Sequence, residues 1–119
     1  MAVIQEVQDE CYRLGIPLRT RHREVAPNQY EVVALFGKVT AQVDHNVILS
    51  QILEEVSVRH NLAALLHEKP FEGVNGSGKH NNWSLRSNCG ANLFNFQDMQ
   101  ARTGSNVVCF ICVFFYVAP

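Results

Sequence analysis

Thr20-Arg21-His22-Arg23-Glu24-Val25-Ala26-Pro27-Asn28-Gln29-Tyr30-Glu31 is the stretch on which the reading of this chain turns. Two extended runs, Ile16–Val25 and Gln29–Phe36, flank Pro27-Asn28, a pair suited to a tight turn. If Ala26–Gln29 forms a four-residue turn, Ala26 faces Gln29, Val25 faces Tyr30 and Glu24 faces Glu31. Directly opposite residues of an antiparallel pair hold their Cβ atoms about 4.5–5.5 Å apart. Two carboxylates so placed repel unless a cation lies between them or one holds a proton. Oxygen pairs of this kind suit Mg²⁺ or Mn²⁺. An exposed, solvated pair neutralised by Arg21 and Arg23 is the other reading, and the fragment alone leaves both open.

Working outward, Val3, Ile4, Val7, Cys11 and Leu14 recur at helical spacing, and Gly15 stops that helix. Ala41–Asn61 reads as a long amphipathic helix with Val43, Val47, Ile48, Ile52, Leu53 and Val56 as its apolar stripe. Leu62–Leu66 is expected as a short buried strand and Lys79–Arg86 as another, with Asn88–Ser105 irregular. The order is helix, two strands, helix, strand, loop, strand, tail, which predicts an α+β fold.

The 119 residues are enough for one domain. Ten basic against eleven acidic residues, a net charge of −1, give no electrostatic case for nucleic acid or an anionic membrane as partner. Val107–Ala118 is apolar throughout but spans 12 residues, against about 20 for a membrane helix, and is expected as a buried helix or strand. No secretory pattern opens the chain, and Cys11, Cys89, Cys109 and Cys112 form no evenly spaced framework, so a reducing, cytoplasmic setting is expected. Cys109-Phe-Ile-Cys112 lacks nearby partners for zinc and sits among apolar residues, where thiols pack as small hydrophobes.

A second informative stretch is Lys69-Pro-Phe-Glu-Gly73-Val-Asn75-Gly-Ser-Gly78-Lys-His80-Asn-Asn-Trp-Ser84. Gly73-x4-Gly78-Lys79 approaches a phosphate-binding P-loop, but His80 stands where that motif needs Ser or Thr, and no helix pattern follows. Three glycines in six residues still let backbone approach a ligand closely. On the expected following strand His80, Asn82 and Ser84 share a face, and His80 could give imidazole to a divalent metal. A plain surface turn with a polar face is the alternative. Asn75-Gly-Ser77 and Asn82-Trp-Ser84 fit short glycosylation sequons, which the expected compartment disfavours.

Together the two stretches resemble the catalytic domain of the glutamine synthetase family. Lys69-Pro-Phe, Asn75-Gly-Ser-Gly78, His80 and Ser84 match that family's ATP-region signature at every fixed position. His22-x-Glu24-Val-Ala-Pro-x-Gln29-x-Glu31 matches its metal-ligand hairpin. Arg21-His22, Val43-Asp-His-Asn46, His67-Glu-Lys-Pro70 and Lys79-His-Asn-Asn-Trp-Ser84 look most like the long type III branch. The resemblance runs over about residues 8–95 and weakens beyond.

The resemblance implies part of a curved antiparallel catalytic sheet with flanking helices, and a ligase joining ammonia to glutamate through a γ-glutamyl phosphate made from ATP. By position it makes Glu24, Glu31 and His80 ligands of Mg²⁺ or Mn²⁺, and it places Asn75 and Gly76 in the glutamate-binding loop. Ser84, Phe36 and His22 fall on the nucleotide side, while Asn82 stands where many relatives carry a second His. Full-length relatives are homo-oligomers of several hundred residues. Residues 1–119 are therefore expected to be one partial catalytic domain, without the family's N-terminal domain, its upstream carboxylates or its downstream arginines. Such a chain is expected to be inactive alone. A non-catalytic truncated paralogue that binds metal or nucleotide weakly, or packs with full-length subunits, is the alternative, and a decayed pseudo-enzyme a third.

Overall fold

The computed structural model describes residues 2–103. They comprise helix α1 (Ala2–Arg13), strands β1 (Leu18–Arg23) and β2 (Tyr30–Ala34), helix α2 (Val39–Arg59) and helix α3 (Phe96–Thr103). This is a small α+β arrangement, as the pattern predicts. The described residues divide into two compact units, parted between residues 79 and 80.

In the first unit, α1 and α2 pack on each other and on one face of the β1–β2 hairpin. Both helices end in the same cap, a Schellman motif, in which a left-handed residue turns the chain and two N–H groups satisfy the last carbonyls. Gly15 takes φ 76° after α1, with Gly15 N donating to Tyr12 O and Ile16 N to Cys11 O. Asn61 takes φ 56° after α2, with Asn61 N donating to Val58 O and Leu62 N to Ser57 O. The core consists of Val7, Cys11, Ile16, Leu18, Leu49, Ile52 and Val56, flanked by Val3, Val32, Ala34 and Leu53.

Only part of the expected α2 stripe reaches that core. Leu49, Ile52 and Val56 form the buried seam, whereas Val43 and Val47 are exposed. Leu49, absent from the expected stripe, lies in the seam with Ile52 and Val56, and Val43 and Val47 turn away from it, because α1 and the hairpin cover only one side of a 21-residue helix. Leu62–Leu66 is not a strand, and most of its side chains are exposed. An apolar run forms a strand only where a neighbouring strand accepts its backbone hydrogen bonds, and among the described residues β1 and β2 pair only with each other.

In the second unit the expected strand Lys79–Arg86 is also missing. An isolated bridge, Arg86 to Asn92, closes a turn in which Ser87 Oγ accepts from Ala91 N. Trp83 meets Phe94 edge to face, with centroids 5.2 Å apart. Part of the tail expected to be irregular is helical: Asn95 Oδ1 accepts from Asp98 N and caps α3. The expectations for Cys109, Cys112 and the apolar run 107–118 lie outside the described residues. No helix among the described residues is long and apolar enough to cross a membrane.

Candidate metal centre

The hairpin turn forms where the sequence places it. Pro27 presets φ at the second turn position, Asn28 takes φ 58° at the third, and Gln29 N donates to Ala26 O at 3.1 Å. The ladder beyond the turn differs from the expected one. Arg23 pairs with Tyr30 and His22 with Glu31, while Glu24 N donates to Gln29 O at 2.9 Å. Glu24 therefore lies opposite Gln29 and diagonal to Glu31, two residues out of the expected register. A turn with Pro then a left-handed residue does not match the twist of the strands, so the ladder resumes only beyond Val25.

A two-residue slip keeps every side chain on its own face, because the strand period is two. His22, Glu24, Gln29 and Glu31 thus share the face of the hairpin turned away from the core residues Val32 and Ala34. Arg21 and Arg23 lie on the other face, which removes them as neutralising partners. Arg21 Nη1 donates to Gln5 Oε1 of α1 at 2.6 Å, and the Arg23 guanidinium lies 5.9 Å from the centre of the Tyr30 ring. The group between the carboxylates is instead His22, whose Nε2 is 2.7 Å from Glu24 Oε1 and 3.0 Å from Glu31 Oε2. One ligand atom from each of the three residues lies within 4.8 Å of the other two.

The loop after α2 folds over this face. Ser77 Oγ donates to Glu24 Oε2 at 2.5 Å. That hydroxyl, and next the His22 ring, hold the Glu24 carboxyl below its ordinary range by favouring the ionised form. Gln29 ties the loop down: its Nε2 donates to Glu68 O at 2.9 Å and to Ser77 O at 3.4 Å, and its Oε1 accepts from Ser77 N at 3.0 Å. At Gly76 the two loop limbs touch. A Cβ there would stand 2.4 Å from the Glu68 carbonyl oxygen, so only glycine fits without moving backbone.

Of the sequence-derived site residues, Glu24, Glu31 and His22 come together, and Asn75 and Gly76 lie in the loop anchored to them. His80 and Ser84 belong to the second unit, and both are exposed. Phe36 is exposed just beyond β2. Gln29 and Ser77 stood inside the recognised motifs but carried no assigned role; the period-two spacing of Gln29 from Glu31 was the available signal.

Residues 1–112 match the family model for the glutamine synthetase catalytic domain. The chain belongs to the glutamine synthetase family. It is 57% identical over 93 residues to the type-3 glutamine synthetase of Dictyostelium discoideum, a match spanning 78% of this chain and 13% of that protein. It is 50% identical over 93 residues to the glutamine synthetase of Bacteroides fragilis, covering 78% and 13%. It is 46% identical over 106 residues to that of Butyrivibrio fibrisolvens, covering 89% and 15%. The chain thus spans only 13–15% of the length of these family members. The donor set of the hairpin, two carboxylates and an imidazole without thiolate, suits a hard divalent ion such as Mg²⁺ or Mn²⁺.

Proposed function

We propose that this chain carries the metal-binding hairpin and the glutamate loop of an ATP-dependent glutamate–ammonia ligase, and that residues 1–119 alone do not turn over. The observation that most directly supports this is the convergence of exposed His22, half-buried Glu24 and exposed Glu31 on one point. Glu24 and Glu31 would hold Mg²⁺ or Mn²⁺, which when bound supplies positive charge to carboxylate and phosphoryl oxygens. The loop from Gly73 to Gly78 would present Asn75 and the backbone at Gly76 to glutamate. His80 would serve a second ion, and Ser84 and Phe36 the nucleotide. A homo-oligomer and a cytoplasmic setting are part of the same reading.

His22 Nε2 can give its lone pair to a cation or an N–H to a phosphate oxygen, but not both at once. Its position between the carboxylates supports the first role, its match to the family motif the second. Calorimetric titration with Mn²⁺ tests the whole reading. Wild type should bind weakly, and the Glu24→Gln/Glu31→Gln double variant should not bind. Equal binding by the two would make the pair a solvated surface feature. In the same titration, affinity retained by His22→Ala keeps that residue on the nucleotide side, and lost affinity makes it a ligand.

A further inference from the structure

A continuous chain of hydrogen bonds joins the glutamate loop to the carboxylate cluster. Gln29 is half-buried on the hairpin and spends its amide on both backbone groups of Ser77 and on the carbonyl of Glu68. Ser77, held by its backbone, spends its hydroxyl on the Glu24 oxygen that His22 does not touch. The contacts link residues 39 and 48 positions apart from Gln29, and 53 apart for Ser77 and Glu24. They are therefore tertiary, not by-products of local turns.

We propose that Gln29 and Ser77 are positioning residues: Gln29 fixes the backbone of Ser77, and the Ser77 hydroxyl fixes the orientation of Glu24 toward a divalent cation. The inference rests on reading Glu24 and Glu31 as ligands of that cation. Its physical content is preorganisation. A flexible carboxylate must lose rotamer freedom when it ligates, and a hydroxyl already bound to its second oxygen removes part of that cost. Because the Ser77 backbone lies beside Gly76, the same link couples the order of the glutamate loop to that of the cation site. Side chains that orient metal ligands typically change affinity by about 10–100-fold when removed.

The test uses the full 119-residue chain as wild type, Gln29→Leu, Ser77→Ala, Ser77→Thr and Glu24→Gln. Two quantities are read, Mn²⁺ affinity and metal-free amide exchange at Ser77 and at the core residues Cys11 and Val56. Gln29→Leu should speed Ser77 exchange while Cys11 and Val56 keep their protection. Gln29→Leu and Ser77→Ala should each weaken Mn²⁺ roughly 10-fold, and Ser77→Thr, which keeps the hydroxyl, should restore affinity. A residue that merely stabilised the fold would change protection throughout and would not be rescued by the hydroxyl. Mn²⁺ affinity unchanged by Ser77→Ala but lost in Glu24→Gln would overturn the positioning role and leave the cation site standing. Affinity indifferent to Glu24→Gln would overturn the cation reading. In that case the exchange arm still decides the link: Ser77 exchange insensitive to Gln29→Leu overturns it.

Discussion

Two carboxylates, Glu24 and Glu6, are held below their ordinary range, and they illustrate different uses of the same physics. Glu24 gains from the Ser77 hydroxyl first and His22 second, beside the proposed cation. Glu6 gains most from His60, then from Arg59, both at the end of α2; Arg59 also pairs with Glu10. The second cluster links α1 to α2 and has no relation to the candidate site. Its pH dependence follows from the direction of the shift. A carboxyl whose folded pKa is depressed contributes stability that is complete above the unfolded value, here 4.5, and is lost as pH falls through the folded value. Wild type should therefore melt higher than Glu6→Gln near neutrality, and the gap should close below pH 4.5. Thermal melts of both proteins across that range check this, and a gap independent of pH would mean that Glu6 acts by packing alone. The residue scale also shows what the sequence could carry. Glu24 and Glu31 were legible as a carboxylate pair because a turn lies between them in the sequence, whereas His22 entered only through the family resemblance, on the nucleotide side, and the fold sets it between the two carboxylates. Ser77 was not legible, because its partner lies 53 positions away and only tertiary folding brings them together.

At the scale of elements, the parts of the fold that obey local rules were read correctly. Gly15 ends α1, Pro27-Asn28 makes the turn, and the first two helices match within a few residues. The failures share a cause. Leu62–Leu66 suggests a strand by its apolar run and Lys79–Arg86 by the poor helix formers Asn81, Asn82 and Trp83, yet a strand exists only where a neighbour accepts its hydrogen bonds, a non-local condition that neither signal encodes. The same reasoning predicts which single changes matter. Ile52, 5% exposed, lies in the α2 seam against α1 and the hairpin. Ile52→Ala should cost about 2–5 kcal/mol by lost burial and a residual cavity, enough to unfold much of so small a core; denaturant melts give the value. Gly76→Ala should leave that core intact and act on the loop alone. Its Cβ would meet the Glu68 carbonyl oxygen, so one limb must move, which strains the Gln29 contacts to Ser77 and Glu68. Faster amide exchange at Ser77 with an unchanged melting temperature is the expected signature.

At the scale of the whole molecule, α2 carries Val39, Val43 and Val47 four residues apart, on one exposed helical face. Phe36 before it and Leu62, Leu65 and Leu66 after it are exposed as well. Apolar surface of this extent on a small protein drives association, so light scattering of the 119-residue chain should rise with concentration, and Val43→Lys/Val47→Glu should reduce it. Turnover makes a further demand on the whole molecule. Phosphoryl transfer onto a carboxylate needs several anionic oxygens neutralised and aligned together. Groups acting as one unit are strongly non-additive, so part of a site does not yield a proportional part of the rate. Among the described residues one cluster of metal-ligating side chains is found, and the chain spans 13–15% of the family members it matches. With ATP, glutamate, ammonia and Mg²⁺, the purified 119-residue chain should therefore release no glutamine above a Glu31→Ala control, even though wild type should bind Mn²⁺ more tightly than that variant. Glutamine formed above that control would show that the hairpin and glycine loop suffice for the reaction, and the proposed inactivity would fall.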